Sequence, residues 1–462
     1  MLHIYLQSCS KLVKFWRCKG FKSIVYLDDG WDIAEDYATC VKVAMEVEKD
    51  LHCAGFVVNK EKSDFKPKQV IKWLVFVWNT NNGTLAVPDE KYLKFQEDIK
   101  FVAHNKNSVT ARQLAKVTGK IVSFSFSLGN ICYIMSRYMH IAIAECLSWD
   151  QLILFNDNIL QEIMFWLNNC RFLARVCHFV SDNPPEQILY TDASNTAGAG
   201  YSVRTFNSVV HYMWTPEQRC QSSTWRELKA VQITLESLKN MLSNRLVKLY
   251  TDNQNVVRIV GKGSMNKELQ NLALSIFTVC LQNKIRLETE WIPRYENEIA
   301  DAYSKIFDFD DWSVGDHIFE LFNRKWGPYE YDLFADCNNN KLEKFYSRFW
   351  NPNTAGVDAF GFDWSVGNNW IVPPINLIAR TINHLKLCKA RGTLIVPKWP
   401  TATFWPILVK PFSGKFQDFV KEWVEYYKPH KFFQKGSHEE SVFAEPQFQS
   451  NVLVLRIDCT DF

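Results

Sequence analysis

Two short apolar runs end in an acid, and they constrain the middle of this chain more than any other feature. Ile188-Leu189-Tyr190-Thr191 runs into Asp192, and the segment 246–251 runs into Asp252 in the same style, as Tyr250-Thr251-Asp252-Asn253. Both runs read as strands. A carboxylate at the carboxyl end of a strand points into the crevice where α/β sheets bind ligands. The spacing predicts further strands over 198–204 and 209–214, a meander, and then a helix over 224–238. Leu228, Val231, Leu235 and Leu238 share one face of that helix. Asn253, one residue beyond the acid that ends the strand 246–251, is a natural cap. A helix over 267–281, a strand over 286–292 and a short helix over 297–305 complete the block. The order βββαβα…βα implies a mixed sheet with helices on its faces.

Glu227 lies four residues before Val231 and eight before Leu235, so it shares the core-facing stripe. A charge there is costly unless a cation meets it. Asp301 sits in the last short helix. Together Asp192, Glu227, Asp252 and Asp301 suit two Mg²⁺ ions (or Mn²⁺) about 3.5–4 Å apart, which drive in-line attack of water on a phosphodiester. Each acid alone has an ordinary alternative. Thr224-x-x-Glu227 is a capping box, Asp192 and Asp252 could form turns, and Asp301 could be solvated. Jointly, the D…E…D…D order on the right elements favours the metal site.

These residues carry a specific resemblance. Tyr190-Thr191-Asp192-Ala193-Ser194, Gly198-Ala199-Gly200-Tyr201, Arg226-Glu227-Leu228, Thr251-Asp252-Asn253 and Ala300-Asp301 resemble the ribonuclease H domain of a retroelement. The resemblance implies hydrolysis of the RNA strand of an RNA–DNA hybrid, with the four carboxylates as catalytic Mg²⁺ ligands. Many members carry a His between the last strand and the last acid. Here Arg294-Tyr295-Glu296-Asn297 stands in that segment.

Near the start, Ile24-Val25-Tyr26-Leu27 runs into Asp28-Asp29. Adjacent acids on a hairpin can hold a metal, and they can equally be a turn between two strands. Gly55-Phe56-Val57-Val58-Asn59-Lys60-Glu61-Lys62-Ser63 and Trp73-Leu74-Val75-Phe76 come next at the spacing of reverse transcriptases, so residues 1–181 resemble their late palm (1–100) and thumb or connection helices (101–181). Val75 stands where a Gly is usual. Residues 1–27 contain no Asp or Glu. The resemblance therefore implies half a polymerase site at Asp28 and Asp29, without the fingers and early palm, and no polymerisation by this chain alone. Lys11, Lys14 and Arg17, interleaved with Trp16, together with Lys60 and Lys62, suit backbone phosphates plus base stacking. A solvated helix face with an apolar stripe explains the first three as well.

Length and composition bound the rest. At 462 residues the chain has room for roughly three domains. Hydrophobic residues at 47% and charged ones at 22% are globular values. The net charge is only +3, so nucleic-acid affinity must come from local patches. Thirteen cysteines without a CxxC pair argue against a disulfide framework and a zinc ribbon, and for a reducing interior: cytoplasm, nucleus or both. The most apolar stretch, 121–139, is broken by Ser123, Ser125, Ser127, Gly129, Asn130 and Arg137, so no membrane span is expected.

Beyond residue 326 the pattern is again α/β, with strands over 331–335 and 392–396 and a helix over 376–388. Asp332-Leu333-Phe334-Ala335, Val357-Asp358-Ala359-Phe360, Asp363-Trp364, Pro373-Pro374 and Pro397-Lys398-Trp399-Pro400 resemble the region after ribonuclease H in tyrosine-recombinase retrotransposons of the DIRS and Ngaro type. That region is sometimes compared with adenine-N6 methyltransferases. Here Val372 and Ile375 flank Pro373-Pro374 where a polar acceptor and a stacking ring belong, so active methylation is not expected. The expected fold class is α/β and α+β multidomain: a partial palm and thumb, a ribonuclease H-like mixed sheet over 182–312, an accessory, degenerate methyltransferase-like α/β domain over 326–430, and a tail over 431–462. The expected partners are RNA–DNA hybrid and template-primer nucleic acid.

Overall fold

A computed structural model describes residues 2–173, 177–178, 184–203, 208–308, 312–427, 432–436 and 450–461. The chain divides into two compact units, Met1–Asn183 and Pro184–Phe462. The division falls between Asn183 and Pro184; Asp182 and Asn183 lie outside the described residues.

In the first unit a helix, Leu2–Cys18, leads into an antiparallel hairpin, Lys22–Tyr26 with Asp29–Ile33. A second helix, Tyr37–Cys53, comes after it. Trp16 is buried against Val43 and Val47, and its indole N–H donates to Asp50 Oδ2 at 3.0 Å. The apolar stripe is therefore core, while Lys11, Lys14 and Arg17 lie on the exposed side. A four-stranded sheet, Val70–Trp73, Phe76–Asn79, Thr84–Ala86 and Cys177–His178, brackets a helical group. Within that group Phe95 meets Phe124 and Trp166 edge-on at 5.5 and 6.2 Å. The apolar stretch 121–139 is split among short helices. No helix among the described residues is long and apolar enough to cross a membrane.

The segment 70–79, which holds Trp73-Leu74-Val75-Phe76, is a tight hairpin. Its two turn residues, Leu74 and Val75, have φ of 44° and 82°. Two-residue hairpin turns require this left-handed backbone because it matches the strand twist. A β-branched residue adopts it at a cost that glycine avoids. Val75 thus sits in a turn that glycine would fit better.

The second unit contains two five-stranded sheets. The first is built from β1 (Gln187–Ala193), β2 (Ala197–Ser202), β3 (Val209–Met213), β4 (Leu246–Thr251) and β5 (Arg286–Trp291), with helices α1 (Ser223–Leu242), α2 (Gln254–Lys262), α3 (Lys267–Gln282) and α4 (Glu298–Ser304). Strand order is β5-β4-β1-β2-β3. β4 pairs parallel with β5 and β1, and the meander β1-β2-β3 is antiparallel. This is the mixed sheet that the sequence pattern implies. Leu228, Val231, Leu235 and Leu238 of α1 are all buried in its core. The helix lies very close to β2: a Cβ on Gly200 would sit 2.1 Å from Thr234 Oγ1, and Thr234 is fully buried.

The second sheet has the order β6 (Tyr331–Asp332), β7 (Asn368–Ile371), β8 (Arg391–Pro397), β10 (Val452–Asp458), β9 (Val420–Tyr426). β6, β7 and β8 are parallel, while β10 runs antiparallel to both its neighbours. Helix α5 (Asp316–Trp326) packs with Trp370, Ile395 and Val452 on one face, and α6 (Ile378–Leu387) packs with Leu394 and Leu455 on the other. The C-terminal body therefore takes in residues before 326. It also takes in the segment after 430, whose strand β10 lies inside the sheet. Trp350 joins the two sheets of this unit: its N–H donates to Val209 O at 2.9 Å, and its ring packs against the first sheet's core.

These contacts set two stability outcomes. Val75→Gly relieves a left-handed β-branched residue and should stabilise the first unit by about 1 kcal/mol, read as a higher urea midpoint. Gly200→Ala forces α1 off β2 and should destabilise the second unit by about 1–3 kcal/mol in the same measurement.

Candidate active site

The site grows out of strand register. Tyr250 lies beside Tyr190 in the parallel pair β4–β1, so Asp192 and Asp252 leave the sheet side by side at its carboxyl edge. Ser222 caps α1 by accepting the N–H of Trp225. The capping box suggested by Thr224 is thus not formed, because the helix begins two residues too early for it. Glu227 is free of that task and lies on the buried stripe of α1. Asp192, Glu227 and Asp252 each place a carboxylate oxygen within 4.8 Å of the others.

This cluster is short of positive charge. Asp192 and Glu227 are each only 6% exposed. One Glu227 oxygen, Oε2, is buried without a hydrogen-bond partner. Burial pushes the Glu227 carboxyl up to about 9, and the Asp192 and Asp252 carboxylates push the same way. Burial also raises Asp192, against the hydroxyl of Ser304, which donates to Asp192 Oδ2 at 2.5 Å. An orphaned buried carboxylate oxygen facing two further carboxylates fits a hard divalent cation such as Mg²⁺ or Mn²⁺, which takes oxygen ligands.

Asp301, on α4, stands outside this group of three. Arg294 donates to its Oδ1 at 2.7 Å and Lys305, one helical turn on, donates to its Oδ2. These two cations, Lys305 first, hold the Asp301 carboxyl below the usual range. Asp301 is near enough to contribute to the upward shift of Asp192. The structure therefore gathers three of the four expected ligands and gives the fourth to internal cations.

Several supporting residues went unread in the sequence. Asn297 Nδ2 donates to Thr191 O at 3.0 Å, and Trp291 Nε1 donates to Asp252 O at 2.9 Å. Ser194 Oγ donates to Ser304 O at 2.6 Å. Together they pin the β5–α4 connection and α4 onto the ends of β1 and β4. Ser304 and Lys305 lie three and four residues beyond Asp301, the one local signal that they share its face.

The other expected residues are placed separately. Asp28 and Asp29 are exposed at the tip of the first-unit hairpin, where Leu27 and Asp28 form the turn and Asp29 pairs with Tyr26. Among the described residues no further acid, His or Cys joins them in a metal-sized group. Lys11, Lys14, Lys60 and Lys62 are exposed, while Arg17 is tied to Ser23 O at 3.0 Å. In the C-terminal body a cavity of about 560 Å³ lies beyond the carboxyl ends of β6 and β7. It is lined by Phe334, Phe360, Val372, Pro374 and Arg380 among others.

Residues 189–306 match the reverse transcriptase-like family, a span that holds all four carboxylates. No curated protein matches. Among solved structures, the foamy viral protease-reverse transcriptase in complex with RNA/DNA hybrid is 14% identical, covering 66% of this chain and 41% of that one (TM-score 0.32). The same viral protein in its dRH form with double-stranded DNA is 14% identical, covering 61% and 48% (TM-score 0.33). LC11-RNase H1 in complex with RNA/DNA hybrid is 19% identical, covering 26% and 93% (TM-score 0.22). The chain spans about half the length of the foamy viral proteins or less.

The electrostatics set a pH dependence. The folded chain keeps the Glu227 proton up to about pH 9, whereas the unfolded chain releases it near 4.5. Between those values the folded state binds more protons, so its stability falls as pH rises. In EDTA the thermal midpoint of the second unit should drop between pH 5 and 9. Glu227→Gln should shrink that drop, and millimolar Mg²⁺ should raise the midpoint most at the alkaline end. A midpoint flat with pH in the wild type would refute the assignment.

Proposed function

We propose that this chain is a divalent-metal-dependent ribonuclease H that cuts the RNA strand of an RNA–DNA hybrid. In this proposal it is part of a reverse transcriptase from a retrotransposon, of the tyrosine-recombinase DIRS or Ngaro kind, acting in the cytoplasm or nucleus. The observation that carries the proposal is the orphaned, buried Glu227 oxygen beside Asp192 and Asp252 at the carboxyl ends of two adjacent parallel strands. No hydrogen bond reaches that oxygen, so a cation is the partner that would let Glu227 lose its proton beside two further acids.

Asp192, Glu227 and Asp252 would hold Mg²⁺ or Mn²⁺, with Asp301 next to them for a second ion. Such ions, when bound, activate water and stabilise a leaving 3′ oxygen. The protein's own groups do the positioning. The Ser304 hydroxyl fixes the orientation of Asp192, and Asn297 and Trp291 hold the loop that carries Arg294 against the strand ends. Arg294 is 71% exposed at the rim and can meet a backbone phosphate. Asp28 and Asp29 have no third metal ligand beside them among the described residues, so no polymerase chemistry is assigned to them.

A second reading is a nucleic-acid-binding remnant that no longer cuts. It is favoured by the two cations already on Asp301. Purified full-length chain with Mg²⁺ on a labelled hybrid separates the two. Cleavage should fall at least roughly a hundredfold in Asp192→Asn and in Asp252→Asn, and vanish in EDTA. A folded wild type that binds hybrid without cutting it would leave the remnant.

A further inference from the structure

The carboxylates at the end of the first sheet are not equivalent. Three face one another with one buried oxygen unpaired, which is a deficit of positive charge. Asp301 has the opposite condition. Both of its oxygens are taken, by the guanidinium of Arg294 at 2.7 Å and by the ammonium of Lys305. Arg294 comes from the 3₁₀ turn Arg294–Glu296 after β5, and Lys305 from the end of α4, so the two cations approach from separate elements. A metal ion that used Asp301 would have to displace at least one of them and then share the space with two like charges.

Resting on the metal-dependent reading above, we infer that Arg294 and Lys305 are built-in counter-cations of Asp301, so that the free chain binds one divalent ion tightly and a second only weakly. The first ion goes to Asp192, Glu227 and Asp252, which no Lys or Arg side chain among the described residues pairs with directly; Arg226 and Arg294 act on Glu227 and Asp192 only through their field. The second must win Asp301 from Arg294 and Lys305. Those side chains are 71% and 56% exposed, so the barrier is a competition that can be reversed, not a seal. Exposed ion pairs are individually weak, and two of them together weaken the competing ion by roughly tenfold. Arg294 and Lys305 therefore act as positioning residues, setting how many ions are bound.

The test counts Mn²⁺ on the purified full-length chain from the loss of the free-ion paramagnetic resonance signal. Wild type, Arg294→Ala/Lys305→Ala, Lys305→Met alone and Glu227→Gln are compared. The wild type should take up one tight ion and a second weaker by about tenfold or more. The double variant should tighten the second ion by roughly tenfold and leave the first within a few-fold, and Lys305→Met should give part of that gain. Glu227→Gln should lose the tight ion. Two equally tight ions in the wild type, or a second ion unmoved in the folded variants, would overturn the inference and leave the metal site standing. No ion on the wild type or on the double variant would overturn the metal reading, and the inference with it.

Discussion

The burial of one carboxyl group, that of Glu227, organises the acidic edge of the second unit. It lies on the same stripe of α1 as Leu228, Val231 and Leu235, which pack into the sheet core. The helix cannot turn Glu227 to solvent without exposing that stripe. The close approach of Thr234 to Gly200 fixes the helix in depth as well as rotation. The hydrophobic effect of the helix thus holds a carboxyl group where desolvation opposes its ionisation. Asp192 and Asp252 sharpen the condition, because parallel pairing of β1 and β4 sets them beside it. A folded core and an uncompensated acidic cluster are two consequences of one packing arrangement.

Much of this was legible in the sequence because the relevant elements are half-buried and carry local signals. β1 alternates between buried and partly exposed residues, so its end and its terminal acid could be read. The stripe through Glu227 was visible at helical spacing, and Asn253 caps α2 as its type and place suggest, accepting the N–H groups of Asn255 and Val256. What stayed hidden depends on contacts remote in sequence. Ser304 meets Asp192 across 112 positions. The pairing of Arg294 with Asp301 depends on how the loop after β5 folds back. β10 was missed for another reason. Val452, Leu453, Val454 and Leu455 are all buried because helices or loops cover both faces of that strand, so no alternation marks it.

The hairpin at Leu74-Val75 shows how a local rule can be broken without losing the element. A glycine is expected in such a turn, yet the backbone remains left-handed at both positions. The flanking pairs Val70 to Asn79 and Trp73 to Phe76 hold the register. Trp73 and Trp78 also form a cluster with Trp31, at ring distances of 5.1 and 4.9 Å from it. Strand pairing and aromatic contacts therefore over-determine a turn whose own residues disfavour it.

Charge is distributed unevenly around the first sheet's carboxyl edge, and that asymmetry is what distinguishes this site. A symmetrical four-carboxylate cluster would present two comparable places for cations. Here one place has no directly paired cation among the described residues, and the other already has two. The same loop that lacks a histidine supplies Arg294, so a permanent charge stands where a titratable one is common in the resembling family. Because a guanidinium stays protonated across the whole working range, its hold on Asp301 does not switch with pH. Release of Asp301 has to come from competition: another anion drawing Arg294 and Lys305 away, or a metal ion outbidding them. A nucleic-acid backbone is an anion of the required kind, and both cations are exposed enough to reach one. On the proposed reading, substrate binding and completion of the metal site would be linked through the same two side chains.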